Sequence, residues 1–199
     1  GPAVYRCVRC QQGRLIAWMR NNDEQNAIKE TGIDASLPDP DDPSADPVAG
    51  VYFNNLSFSK LDWYLNADTQ IGQGIKNGDG TCSCRITLTN IMTQEEAGKL
   101  PDYVAASAPD AARDDERLNV SLFAPTGGNI SGLTVEGTQF GLGAATWHGI
   151  PFYSGTVDLH AGETTTITYT LTTSAEAGDK PLALRQTPTC QAARDSASA

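Results

Sequence analysis

The sequence predicts an α+β chain that is mainly β: a short strand–helix piece at the N-terminus packed on antiparallel sheets, with an immunoglobulin-like β-sandwich in the C-terminal part. Three observations carry this expectation. Residues 22–31 carry helix-capping side chains and are followed by a glycine that can stop a helix. Several later runs alternate apolar and polar side chains, the two-residue period of a strand with one buried face. Gly, Asn and Pro turns separate those runs at the short spacing of a sandwich.

Gly1-Pro2 resembles what a cleaved purification tag leaves and is set aside from fold reasoning. Residues 3–36 form the small α/β piece. Within it Val4–Gln12 suits the tail of a helix, and Gly13–Met19 (GRLIAWM) suits a short buried strand. For the helix that follows, Asn22 is the expected N-cap with Gln25 three positions on, and Asp23 and Glu24 suit its positive end. Gly32 is the expected stop. Residues 37–48 form a connector, because the run 36–47 holds four prolines that forbid a regular ladder and four aspartates that keep it wet.

Residues 49–115 form a β-rich region. Thr81–Ile91 places Cys82, Cys84, Ile86 and Leu88 on one face and Ser83, Arg85, Thr87 and Thr89 on the other. The turn signal Asn77-Gly78-Asp79-Gly80 predicts that this strand pairs with residues near Tyr64–Ile75. Residues 105–117 are rich in Ala and Asp and suit a loop or weak helix. Residues 116–190 form the sandwich-like region: Leu118, Val120 and Leu122 share a face, as do Ile167, Tyr169 and Leu171. Further strands are expected near Gly132–Glu136, Phe152–Leu159 and Leu182–Thr187, and residues 191–199 form a frayed tail.

Charge and hydropathy narrow the function classes. The net charge is −10 and no basic stripe exists, which argues against nucleic acid as a partner. No run of about 18 apolar residues is present to span a bilayer. The chain lacks an initiator methionine, so it is expected to be a fragment whose parent supplies any leader or anchor.

Motifs for chemistry are sparse. Ser57-Phe58-Ser59-Lys60 fits the S-x-x-K of penicillin-binding enzymes, but the Lys-Thr-Gly strand that those enzymes need is missing. His148 and His160 lack a nucleophile elbow or an H-E-x-x-H partner and suit turn positions. Asp114 and Asp115 are adjacent and would point apart rather than face each other across a cleft. Asp39, Asp41, Asp42 and Asp46 lack the alternating ladder of a calcium loop and suit a solvated connector. The remaining lead is aromatic: Trp63, Tyr64, Trp147 and Tyr153, with Phe152, are candidate binding residues, since flat rings stack on sugar faces and anchor interfaces. No catalytic residue, metal or cofactor is expected.

The cysteines are Cys7, Cys10, Cys82, Cys84 and Cys190. Cys82 and Cys84 lie two apart on one strand face, roughly 7 Å between α-carbons, which is awkward for a direct bridge. Each is expected to look to Cys7, Cys10 or Cys190, while a zinc site of CxxC plus CxC stands as the rival.

A run of short motifs carries one family resemblance. Arg14-Leu15-Ile16-Ala17-Trp18, Thr31-Gly32-Ile33, Val51-Tyr52-Phe53-Asn54 and Lys60-Leu61-Asp62-Trp63-Tyr64-Leu65 come first. Leu88-Thr89-Asn90, Leu100-Pro101-Asp102-Tyr103-Val104, Val120-Ser121-Leu122-Phe123-Ala124-Pro125, Leu159-His160-Ala161-Gly162-Glu163 and Thr187-Pro188 follow. In this order they resemble the C-terminal part of the domain of unknown function 4012 family, uncharacterised surface proteins of actinobacteria and other Gram-positives. The resemblance implies a parent with an N-terminal membrane helix and an exterior portion, hence a location on the outer side of the envelope. That location favours disulfides over zinc. The cysteine content and the Asp-Pro connector depart from the family pattern, and the family supplies no catalytic residues.

The expected function is therefore non-catalytic: an extracellular module of a membrane-anchored cell-surface protein that binds an envelope polysaccharide or a surface or host protein. The runner-up is a glycan-processing enzyme or accessory factor built around Ser57, Lys60 and His148, and a third reading is a structural spacer.

Overall fold

In the computed structural model, which describes residues 17, 19–29, 39–71, 81–136, 138–139 and 143–189, the strands fall into two sheets. In chain order they are β1 (Val48–Asn55), β2 (Leu65–Ile71), β3 (Thr81–Asn90), β4 (Glu116–Phe123), β5 (Asn129–Val135), β6 (Thr138–Gln139), β7 (Gly143–Trp147), β8 (Ile150–Leu159), β9 (Thr164–Thr172) and β10 (Ala183–Gln186). Helix α1 (Asn22–Lys29) precedes them, and a single helical turn, α2 (Gln94–Ala97), follows β3. The first sheet has the order β10-β1-β4-β8-β7 and the second β2-β3-β9-β5-β6. Pairing is antiparallel throughout except between β1 and β10, which run parallel.

Alternation explains how the layers meet. Cys82, Cys84, Ile86 and Leu88 of β3 and Ile167, Tyr169 and Leu171 of β9 turn inward from the second sheet. Val51 of β1, Leu118, Val120 and Leu122 of β4, and Val157 and Leu159 of β8 turn inward from the first, and all join one buried cluster. Burial at roughly 25 cal/mol per Å² of apolar surface makes that cluster the main stabilising feature. Both sheets take strands from residues 49–115 and from residues 116–190: β1 pairs with β4, and β3 pairs with β9. The two regions expected from sequence are thus interleaved, because the inward residues of β1–β3 share one buried cluster with those of β4, β8 and β9.

A smaller cluster closes one end. Leu61, Met92, Leu100, Ala105 and Ala161 pack together beneath the 3-10 turn Leu61–Tyr64 and α2. A full capping box starts α2: Thr93 accepts from the Glu96 backbone, and Glu96 reaches back to the Thr93 backbone. Those hydrogen bonds hold the Glu96 carboxyl below its ordinary pKa.

The N-terminal piece differs from expectation. Asn21, not Asn22, caps α1, its side chain accepting from the backbone of Asp23 at 2.8 Å and of Glu24 at 3.3 Å. Gln25 instead receives the Met19 backbone N–H at 2.6 Å. The helix buries none of its residues, and Ala17 and Met19 carry no strand. The rest of Gly13–Met19, Gly32, the turn 77–80 and the tail 191–199 lie outside the described residues.

Candidate functional site

Two-residue periodicity also decides what faces outward from the first sheet. Gly50, Tyr52 and Asn54 of β1 lie beside Phe123, Ser121 and Asn119 of β4. Those in turn lie beside Phe152, Ser154 and Thr156 of β8, with Ala145 of β7 next to Phe152. Rows of like chemistry therefore cross the sheet, about 6.7 Å apart along each strand.

The first rows are aromatic. Phe123 and Phe152 stack with ring centroids 4.7 Å apart, and Tyr52 meets Phe123 edge-on at 5.6 Å. Gly50 keeps this surface open, because a Cβ there would lie 2.7 Å from the Tyr52 ring and 3.1 Å from Phe123 Cβ. The result is an apolar groove of about 110 Å³ lined by Gly50, Tyr52, Phe123, Trp147 and Ile150 among others. Trp147 forms its wall at the β7–β8 hairpin. His148 (φ 47°) and Gly149 (φ 80°) make the two-residue turn there, both in the left-handed region that such a hairpin needs. The His148 ring stands edge-on to Trp147, with centroids 4.2 Å apart.

The next rows are uncharged and polar. Ser154 Oγ donates to Asn119 Oδ1 at 2.8 Å, and Ser121 and Ser154 hydroxyls are 3.0 Å apart. Asn119 Nδ2 reaches Ser121 Oγ at 3.5 Å. Beyond them Arg117 Nε donates to Asp158 Oδ1 at 2.8 Å, closing the face with an ion pair. An aromatic ledge thus runs into hydrogen-bonding amides and hydroxyls on one continuous surface.

The four candidate rings do not converge. Trp147 is 39 % exposed and belongs to the groove. Tyr153 pairs with Leu122 and turns to the core side of β8, where it packs against the main cluster. Tyr64 packs against the smaller cluster, and Trp63, 49 % exposed, sits beside it in the same 3-10 turn. Sequence reasoning missed Tyr52 and Phe123; their signal was parity, since each stands one step from an inward residue (Val51 and Leu122) on its strand.

The serine–lysine–histidine constellation is not assembled. Ser57 is fully buried, its Oγ donating to the Asp115 carbonyl at 2.6 Å and accepting the Arg117 N–H at 2.6 Å. Ser57 is thereby tied to the Glu116 end of the β4–β8 ladder, while His148 adjoins Ile150 at the opposite end of β8. Nine residue steps of strand put roughly 30 Å between them. His160 occupies a turn, its N–H donating to Glu163 Oε2 at 2.9 Å.

The aspartates of the connector are engaged locally. Asp39 Oδ1 accepts from Asp41 N–H, and Asp42 Oδ1 accepts from the N–H and hydroxyl of Ser44, which holds the Asp42 carboxyl below its ordinary pKa. Lys180 Nζ donates to the Ser44 carbonyl at 2.7 Å and pairs with Asp46, pinning the segment. Cys82 and Cys84 are buried thiols, while Cys7, Cys10 and Cys190 lie outside the described residues. Among the described residues, no group of three or more His, Cys, Asp or Glu side chains is placed to hold a metal.

Comparison with family models, with curated proteins and with solved structures finds no match to this chain. Among the described residues, no helix is long and apolar enough to cross a membrane.

Proposed function

We propose that this chain is an exterior recognition module of a membrane-anchored bacterial surface protein, and that the outer face of its first sheet binds a neutral stretch of envelope polysaccharide. One observation carries the reading: the Tyr52–Phe123–Phe152 ledge, walled by Trp147, is continuous with the uncharged row of Ser121, Ser154 and Asn119. Pyranose rings offer apolar faces that stack on aromatic side chains and hydroxyls that exchange hydrogen bonds with amides and serines. The exterior location rests on the resemblance to the domain of unknown function 4012 family. The main core shared by two mainly antiparallel sheets supports an immunoglobulin-like sandwich spread over residues 48–186.

A glycan array probed with the purified chain, followed by calorimetry, tests this. Native protein captures a neutral polysaccharide without turnover, and Trp147→Ala weakens capture at least about tenfold, the loss of one stacked ring. A face that retains no glycan but captures a surface protein through the same rings would favour the protein-partner reading, for which the apolar groove is the specific motive. Glycan cleavage by the native chain would favour the enzyme reading instead.

A further inference from the structure

The end of the first sheet opposite the groove holds a buried carboxylate that recognition does not use. Glu116 opens β4 at the inward parity of Leu118, Val120 and Leu122 and has no solvent exposure. Its Oε1 faces Asn55 Nδ2 at 3.4 Å, and its Oε2 has no hydrogen-bond donor. The same Nδ2 faces Asp62 Oδ2 at 3.2 Å and Ser59 Oγ at 3.0 Å. An amide NH₂ has only two hydrogens, so it cannot serve three oxygens and two ionised carboxylates together.

We propose that Glu116 keeps its proton and donates it to Asp62, and that this hydrogen bond latches the 56–64 turn onto the end of the sheet. The proton completes the hydrogen count: a protonated Glu116 donates to Asp62, and Asn55 serves the oxygens that remain. Among the described residues, no cation pairs with Glu116 to replace it. Burial acts first on Glu116, then the Asp62 charge and hydrogen bond, then Asp115, and together they push its pKa up to about 8. Asp115 is itself raised, by burial and by Asp158 and Asp114, with His160 and Arg117 opposing.

The latch is mechanical as well as electrostatic. Asn55 Oδ1 accepts the Ser57 N–H at 2.8 Å, and Leu56 N–H donates to the Arg117 carbonyl at 2.8 Å. Ser57 bridges Asp115 and Arg117, and Leu61 then anchors the turn in the smaller cluster. At its tip Phe58 is 74 % exposed with a left-handed backbone (φ 52°), which a non-glycine residue adopts only when its surroundings hold it. Ionising Glu116 beside Asp62 removes that hold. Because the folded pKa lies above the model-compound value of 4.5, the folded chain binds the extra proton between the two. The contribution of Glu116 to stability is full below about pH 4.5 and is lost as the pH rises to about 8.

The test is independent of glycan binding. Carbon-13 NMR of the Glu side-chain carboxyls of the native chain shows one group titrating near pH 8, missing in Glu116→Gln. Native Tm falls by on the order of 10 °C from about pH 5 to about pH 9. Glu116→Gln, which keeps the shape and hydrogen-bonding NH₂ of the protonated form, flattens that slope, and Asp62→Asn moves the Glu116 midpoint to lower pH. A Glu116 midpoint near the ordinary glutamate value, or a Glu116→Gln slope equal to the native one, overturns the proposal. So does millimolar calcium restoring the alkaline Tm of the native chain alone, since a cation would then hold the pair. If Glu116→Gln fails to fold, the native and Asp62→Asn titrations decide.

Discussion

Phe123 and Phe152 lie parallel on the outer face of the first sheet, their planes 10° apart, at positions that pair directly across β4 and β8. A cross-strand aromatic pair usually stabilises a sheet by packing, by about 0.2–1 kcal/mol over a pair of alanines. Here it also forms a floor, because Gly50 on the neighbouring strand supplies no side chain to cover it.

Gly50→Ala should therefore close the groove. The added methyl would stand 2.7 Å from the Tyr52 ring, which must swing away over the space it lines. We expect glycan capture to fall about tenfold or more while stability drops by about 1–3 kcal/mol, the range for overpacking. Calorimetric binding beside a urea transition separates the two effects. Unchanged binding would place the ligand elsewhere on the sheet.

Ser57→Ala tests whether that hydroxyl is structural. It bridges the Asp115 carbonyl and the Arg117 N–H, both at the end of the first sheet. Removing it strands a donor and an acceptor in a dry place, so we expect a loss of about 2–3 kcal/mol in urea unfolding. Glycan capture at the far end of β8 should persist.

Much of the fold was legible in the sequence because inward and outward residues differ in kind. β3, β4 and β9 alternate apolar with polar residues over Cys82–Thr89, Leu118–Leu122 and Ile167–Thr172, and each is a strand with its buried face as expected. β7 was not legible: Gly143, Ala144, Ala145, Thr146 and Trp147 are all exposed, so no alternation marks them. The groove depends on which strands become neighbours, and β1, β4, β8 and β7 are brought together from distant parts of the chain. That order follows from burying two sheets against each other, a property of no single segment. Glu116 did carry a signal. It stands two residues before Leu118 on the same strand, so the parity of Leu118, Val120 and Leu122 turns its carboxylate inward.

Asn90 joins three segments at the end of β3. Its Nδ2 donates to the carbonyls of Leu159 at 3.2 Å and Asp114 at 3.3 Å, and its Oδ1 accepts the Met92 N–H at 3.1 Å. The residue is fully buried, so water cannot replace these partners. Asn90→Ala should cost about 3 kcal/mol or more. Asn90→Asp should be at least as harmful, because it sets a carboxylate against two carbonyls. Denaturant midpoints at neutral pH measure both.

Cys84 offers a reading of how tightly the main core is closed. Its thiol faces the interior of β3, close to the Cys82 carbonyl at 3.9 Å and to the Tyr169 hydroxyl. Burial pushes its pKa up to about 12, against a smaller opposing effect of Tyr169, and burial likewise raises Tyr169. The thiolate is the reactive species, so at pH 8 a group with that pKa is ionised only about once in ten thousand molecules. Iodoacetamide should leave Cys84 unmodified in the native chain for hours and label it within minutes in urea, as followed by mass spectrometry of the peptide spanning β3. Rapid native labelling would mean that the inward face of β3 opens to solvent without global unfolding, and that the two sheets part more easily than their shared core implies.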